Sequence, residues 1–486
     1  MLFNSFEFLL FLPLVFAAYW LLARRLRLQN LFVLVASYVF YGWWDWRFLL
    51  LIAFTSGWSY VVGVLELRRE GRGLRGSKAL LAISLLVNLG ILAYFKYCNF
   101  FIDSLEALLH GLGFAAAPHL GLSSLQIVLP VGISFYTFQA LSYTIDVYRR
   151  QVRPTRDPIA FFAFISFFPQ LVAGPIERAS NLLPQFLRPR AFVYADAVDG
   201  CRQMLWGFFK KCVVADNCAV VANHLLNVDG GVQANGLAVW LGVLLFTIQI
   251  YGDFSGYSDI AIGCSRLFGV KLMRNFAFPY FARDIAEFWR RWHMSLTTWF
   301  RDYLYIPLGG SRCAKWKQVR NTFAIFLVSG LWHGANWTFV LWGLFHALLF
   351  LPLLLGGRNR RNLDGVAAER ALPTPREVGQ MALTFLLALL GWTLFRAQSA
   401  GEACQWFSAM FNPASFGALH GLPRELAVAL IGAAAMLADE WFCRRGEHGL
   451  TRLPSSVVLR WAVYFALLWV VLFYCPGTQT FIYFQF

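Results

Sequence analysis

A chain of 486 residues that is 58% hydrophobic and 14% charged lies outside the range of soluble domains, which run near about 45–50% apolar and about a quarter charged, and further still from disordered chains. It reads as an all-α polytopic membrane protein: at roughly 20 residues per span the apolar content caps the helices near 14, and connections lower that to roughly 10–12. The net charge of +16 needs a location, and two compete for it: cytoplasmic loops obeying the positive-inside bias, and a site that attracts a polyanion.

The first apolar run, MLFNSFEFLLFLPLVFAAYWLLA, has no basic residue ahead of it and outruns a signal-peptide core, so it reads as a retained first span. Arg24, Arg25 and Arg27 follow it. Residues 30–67 hold two spans around WWDW at 43–46 and end in RREGRGLRGSK at 68–78. Another span covers 79–95, an interfacial stretch runs to His119, and the run 128–147 closes on RRQVRPTR at 149–156. All three basic clusters fall on one side of the membrane. If that side is the cytoplasm, the N-terminus is outside.

Residues 159–185 are apolar but broken by Pro169, Gly174, Pro175 and the pair Glu177 and Arg178, which suits a re-entrant segment shielded by protein or a wet cavity. The chain around Lys210 and Lys211 reads as amphipathic. Later apolar runs are 237–250, 323–355, 381–394, 426–437 and 461–474, with a polar loop at 356–377. The chain thus reads as a single membrane domain over 1–486, made of N-terminal helices (1–158), a core (159–355) and C-terminal helices (356–486). No internal repeat is visible, which counts against transporters built from duplicated halves. The nine cysteines form no C-x-x-C pair, so spacing supports neither a metal site nor a disulfide framework.

Chemistry concentrates in DFSGYSD (253–259), FARDIAEFWRRWHMSLTTWFRDYLYIPLGGSR (281–312) and SGLWHGANW (329–337). Ionisable groups at membrane depth are costly unless paired or lining a cavity, so such a cluster marks a functional site. Glu287 to His293 reads as helix, with Glu287 set to pair with Arg291 and Arg290, and with Trp289, Trp292 and His293 on one face. The plainer reading of this stretch is an interfacial helix with its rings at headgroup depth. IPLGG at 306–310 breaks the helix and admits a close backbone approach. His333 lies in a stretch without formal charge between Arg320 and Arg358. Histidine in such a place is commonly a hydrogen-bonded core residue. Gly330 and Gly334 open the surface around it, however, Asn336 offers a polar partner, and burial would keep the imidazole neutral and able to act as a base. On one continuous helix His346 would face almost the opposite way.

The order of DFSGYSD, FWRRWHMSLTTWFRDYLYIPLGG and LWHGANW, with FIYFQF at the C-terminus, resembles the bacterial branch of the membrane-bound O-acyltransferase (MBOAT) superfamily. Within it the pattern is most similar to integral membrane subunits that O-acetylate alginate and to relatives acting on cellulose or peptidoglycan. The resemblance runs from the first span to the final residues. It implies the MBOAT fold, a ring of tilted helices around a thin core with an outer funnel, in the bacterial inner membrane. It implies acetyl-CoA as donor, no bound cofactor, and an acceptor that is a polysaccharide hydroxyl or a periplasmic partner acetyltransferase; no nucleic acid is involved. It makes His333 the essential residue and His293 the second signature.

Acyl transfer needs a base for the hydroxyl proton and donors for the oxyanion. The expected base is His333, with His293 polarising the thioester carbonyl or orienting the acceptor and Asn336 as helper. Arg290, Arg291 and Arg301 would draw CoA phosphates if they line the cytoplasmic rim, and otherwise serve as positive-inside anchors. The rival function is a glycan or lipid-linked sugar transporter using the histidines as a proton relay.

Overall fold

Backbone polar groups cannot be left open to lipid, and a chain of this composition satisfies them in helices. The computed structural model describes residues 1–69, 74–113, 128–172, 174–226, 235–477, 479 and 481–482; no strand occurs among them. The polar connection 70–73, His119 and residues 483–486 of the C-terminal motif lie outside the described residues. Two compact units form: one of Met1, Leu10–Phe192 and Phe268–Leu272, the other of Leu2–Leu9, Val193–Leu267 and Met273–Phe486. The divisions after 158 and 355 follow interruptions of apolar runs, whereas these units follow which helices pack together.

In the first unit lie most of α1 (Phe6–Leu21), then α2 (Leu26–Gly42), α3 (Leu49–Arg68), α4 (Leu74–Leu92), α5 (Cys98–Gly111), α6 (Ile133–Tyr148), α7 (Pro158–Ser166), α8 (Phe168–Leu171) and α9 (Ala179–Phe186). Helix α7 starts where Asp157 Oδ1 accepts from the Ile159 and Ala160 N–H groups (2.9 and 3.3 Å) with Pro158 in the first turn, where its missing N–H costs nothing. The segment 159–185 is broken as its prolines foretold, and its interruptions are shielded by protein. Ser37 Oγ accepts from Phe168 N–H (3.1 Å), and Gln139 and Gln170 both donate to the Phe164 carbonyl (3.0 and 2.8 Å). Two of the basic clusters meet at one end of this unit: Arg69 and Ser77 line a pocket together with Arg150 and Arg153.

The second unit holds α10 (Tyr194–Phe208), a π-helical turn at Phe209–Ala215, α11 (Asp216–Leu226), α12 (Gly236–Leu267), α13 (Ile285–Arg291), α14 (Met294–Phe300), α15 (Lys315–His333), α16 (Trp337–Leu355), α17 (Pro375–Arg396), α18 (Ala400–Phe411), α19 (Glu425–Cys443) and α20 (Val457–Phe473). Helices α10 and α12 touch backbone to backbone, since a Cβ on Gly207 would stand 2.6 Å from the Gly256 carbonyl oxygen. Small residues permit such contact where lipid supplies no hydrophobic drive.

The stretch around Lys210 and Lys211 is not an amphipathic surface. Both lysines are buried: Lys210 Nζ pairs with Asp259 (2.5 Å) and reaches Glu440 (3.8 Å), and Lys211 Nζ pairs with Asp216 and Asp253 (2.8 Å each). Tyr251 Oη donates to Glu440. The charges of DFSGYSD are thereby neutralised inside the unit, as burial demands.

Across both units the described residues include six helices long and apolar enough to cross a membrane, Trp46–Arg68, Ser77–Gly111, Gly236–Leu267, Trp337–Leu355, Pro375–Arg396 and Glu425–Cys443, with shorter apolar helices at Phe6–Leu21 and Val457–Phe473. They are fewer than the roughly 10–12 expected because several apolar runs are assembled from shorter helices. The run 159–185, for example, is divided among α7, α8 and α9.

Candidate active site

Glu287–His293 is not one helix. Helix α13 ends at Arg291, Trp292 is extended, and His293 takes left-handed angles (φ 43°, ψ 55°) before α14 begins. Such angles are strained for most side chains, less so for histidine. The incoming segment 275–277 accounts for the break. Ala277 N–H donates to the Arg291 carbonyl (3.0 Å) and Met294 N–H to the Asn275 carbonyl (2.8 Å), replacing bonds a continuous helix would make. The three aromatic residues therefore separate. Trp289 stands against Trp342 and His346, with ring centroids 5.4 and 4.9 Å apart, and Trp292 against Trp392 and Phe276 (4.8 and 5.1 Å). His293 meets Phe254 (4.6 Å) and Trp332 (5.8 Å). Trp289 and Trp292 are buried in protein, which removes the interfacial-helix reading.

Asn275 defines the chemical state of His293. Its Oδ1 accepts from Ser295 N–H (3.3 Å) and Ser295 Oγ (2.8 Å), while its Nδ2 donates to Ser258 Oγ (3.1 Å). A backbone N–H can only donate, so the amide orientation is fixed, and the atom 3.0 Å from His293 Nδ1 is an acceptor. Nδ1 must carry the proton and Nε2 is left as the ring's acceptor. Burial alone pushes the imidazole down to about 3, so it is neutral at pH 7.

His333 is the final residue of α15, 3% exposed, with Trp332, Trp342 and Phe395 around it at centroid separations of 5.0, 5.0 and 5.3 Å. The Trp332 ring thus touches both signature histidines. Gly330 and Gly334 do not open space beside the imidazole. A Cβ on Gly330 would land on the Phe339 carbonyl, and one on Gly334 on the Phe339 ring. Their role is to let α16 close onto α15. The chain turns at 334–336, so His346 does not continue the α15 face; its ring stands 4.9 Å from Trp342, the tryptophan that also meets His333. Both ring nitrogens of His346 lack a hydrogen-bond partner among the described residues.

Asn336 caps α16: Oδ1 accepts from Thr338 N–H (3.0 Å) and Nδ2 donates to the Gln398 carbonyl (2.8 Å). Glu287 is buried and pairs with Arg283 (3.0 Å) and Arg291 (2.8 Å). Arg290 instead donates to the carbonyls of Asn359 and Asn362 (2.7 Å each), and Arg291 also to that of Asp364 (3.3 Å). These arginines fasten the polar loop after α16 beside the WRRWH turn. Arg301 is exposed and pairs with Asp302 (2.7 Å). Gly309 and Gly310 both have positive φ (109° and 55°), as the IPLGG turn required.

Residues 149–362, which contain every element of this site except the carbonyl of Asp364, Trp392, Phe395 and Gln398, match the membrane-bound O-acyltransferase family. The "Probable alginate O-acetylase AlgI" of Pseudomonas putida is 42% identical over 418 residues, 85% of this chain and 80% of its own length. This chain belongs to that family. The peptidoglycan O-acetyltransferase of Helicobacter pylori is 31% identical over 440 residues, covering 84% of this chain and 80% of that protein. The teichoic acid D-alanyltransferase of Bacillus subtilis is 29% identical over 231 residues, 45% and 57% of the two chains.

As a multi-pass membrane O-acyltransferase, the protein holds both signature histidines buried against the Trp332 indole. Asn275 and Ser258 were missed by sequence reasoning, and His346 was set aside there because one continuous helix would turn it away from His333. Ser258 lies inside DFSGYSD, which was conspicuous, but no spacing rule links Asn275 to a histidine 18 residues further on.

Proposed function

We propose that this O-acyltransferase moves an acetyl group from acetyl-CoA to a hydroxyl of an envelope or extracellular polysaccharide, such as the alginate or peptidoglycan named for its relatives. Transfer is direct or passes through a periplasmic acetyltransferase. The thioester C–S bond breaks and an ester C–O bond forms. The hydroxyl proton passes to His333 Nδ1 or Nε2 and from there to the departing CoA sulfur. A positioned base of this kind contributes typically about 10²- to 10⁴-fold.

Of the two roles open to His293, orienting the acceptor fits better than polarising the carbonyl. With Nδ1 donating to Asn275, Nε2 can accept from a hydroxyl but has no proton to offer an oxyanion. Buried indole N–H groups of Trp289 and Trp342, which have no acceptor among the described residues, are better suited to that task. Arg290 and Arg291 are tied to carbonyls of the 359–364 loop, and Arg291 also to buried Glu287. Exposed Arg301 pairs with its neighbour Asp302, which a phosphate can replace, so Arg301 is the better candidate to attract CoA phosphates. The protein works in the bacterial inner membrane with its N-terminus periplasmic, a reading supported by the meeting of two basic clusters at one end of the first unit.

The observation that carries the proposal is the pair of buried histidines against one tryptophan, His293 with a defined tautomer, in a chain of this family. The test is transfer of labelled acetyl from acetyl-CoA by the purified full chain in detergent, with and without polysaccharide. His333→Ala should remain folded and lose transfer. Full activity in that variant, or substrate movement without acetyl transfer, would refute the proposal.

A further inference from the structure

Far apart in sequence, Cys212, Asp216 and Cys475 converge in the second unit, and their ligand-type atoms all lie within 4.8 Å of one another. Cys212 belongs to the π-helical turn and Asp216 opens α11, so their four-residue spacing puts both on one helical face. Cys475 arrives just after α20. Its segment is held in place by Asn217 Nδ2, which donates to the Tyr474 carbonyl (2.8 Å), and by Asp253 Oδ2, which accepts from Ile482 N–H (2.8 Å).

The carboxylate carries a second observation. Asp216 is 1% exposed; Lys211 takes its Oδ1, and its Oδ2 has no hydrogen-bond partner among the described residues. A buried carboxylate oxygen without a donor is costly, and a cation shared with the two neighbouring thiols would satisfy it. We infer that Cys212, Asp216 and Cys475 form a site for a thiophilic divalent cation of the zinc type, which fastens the chain just after α20 to the π-helical turn. Two sulfurs and one carboxylate oxygen fit the donor preference of Zn²⁺, and a fourth, tetrahedral position is left for water. With Zn–S near 2.3 Å, tetrahedral sulfurs stand about 3.8 Å apart, so the ligands close by about 1 Å or less. Two thiolates, Asp216 and Asp253 balance a dication plus the Lys211 ammonium to within one charge. A Cys212–Cys475 disulfide would leave Asp216 Oδ2 as orphaned as before, which favours the metal. The inference does not depend on the acyl-transfer reading.

The test uses the full chain in detergent, loaded with ZnCl₂ and dialysed. Elemental analysis should find about one zinc per chain in the wild type and a loss of it in Cys212→Ser and Cys475→Ser, and Co²⁺ in place of zinc should give a thiolate charge-transfer band. Wild-type labelling guards against misfolded variants. A strong chelator should expose Cys212 and Cys475 to a maleimide, while exposed Cys201 and Cys404 react equally with or without it. Substoichiometric zinc after loading, labelling indifferent to chelation, or a Cys212–Cys475 disulfide in the mass spectrum would overturn the site.

Discussion

Asn275→Ala and Asn275→Asp separate the structural from the chemical work of one side chain. The amide makes four buried contacts, to His293, Ser295 N–H, Ser295 Oγ and Ser258 Oγ. At about 1 kcal/mol net for each bond, and about 1–3 kcal/mol for a buried polar group left alone, alanine costs about 4 kcal/mol or more. That is a large share of a typical folding margin of about 5–15 kcal/mol. Aspartate keeps the shape, and the Ser258 hydroxyl can turn to donate, so the protein should melt within a few degrees of wild type. A carboxylate 3.0 Å from Nδ1 favours the imidazolium and should lift His293 from about 3 by roughly one to three pH units. The assay is kcat/KM for acetyl transfer as a function of pH. In Asn275→Asp the acid limb should move to higher pH, with activity lost at mildly acidic pH before it is lost near neutrality. A folded Asn275→Asp with an unmoved acid limb, or an Asn275→Ala as stable and active as wild type, would refute the assignment of the His293 tautomer.

Removing the His333 base should lower kcat by about 10²- to 10⁴-fold in His333→Gln with little change in melting temperature, measured by acetyl transfer beside thermal unfolding. Lys210→Met leaves Asp259 and Glu440 buried without their cation and should cost about 3–5 kcal/mol, read from denaturation in detergent; a neutral outcome would show that the pair is dispensable. Gly330→Ala drives a methyl into the Phe339 carbonyl and should destabilise the α15–α16 contact by about 1–3 kcal/mol. Because the His293 pKa is depressed from 6.5 to about 3, its contribution to stability is complete above pH 6.5. It should be lost as pH falls toward 3, by at most about 1.4 kcal/mol per pH unit, and His293→Gln should flatten that slope in thermal unfolding.

Much of the architecture was legible because lipid imposes simple rules. Long apolar runs became helices, and Pro169, Gly174 and Pro175 broke the segment in which they stand. The two signature histidines also proved to share a neighbour, Trp332. What escaped were features decided by partners remote in sequence. Periodicity continues a helix through Trp292 and His293, but it cannot see the segment at 275–277 that takes over their backbone bonds. It reads Gly330 as open space, whereas α16 fills it, and with that closure His346 comes to the side of Trp342 that a single long helix would have denied it. Lys210 and Lys211 look like surface charges until Asp259, Glu440, Asp216 and Asp253 are brought to them.

The ties between residues 474–482 and the buried ion pairs also set a timetable for synthesis. Tyr474 accepts from Asn217 across 257 residues, and Gln479 from Lys211 across 268. At about 5–20 residues per second, the ribosome needs about 13–50 s to cover the longer of those separations. For most of that interval α12 is already translated while the Ile482 N–H that donates to Asp253 is not. The second unit therefore passes through an unfinished stage in which Asn217, Lys211 and Asp253, deep in its interior, still lack the bonds that its last residues will make.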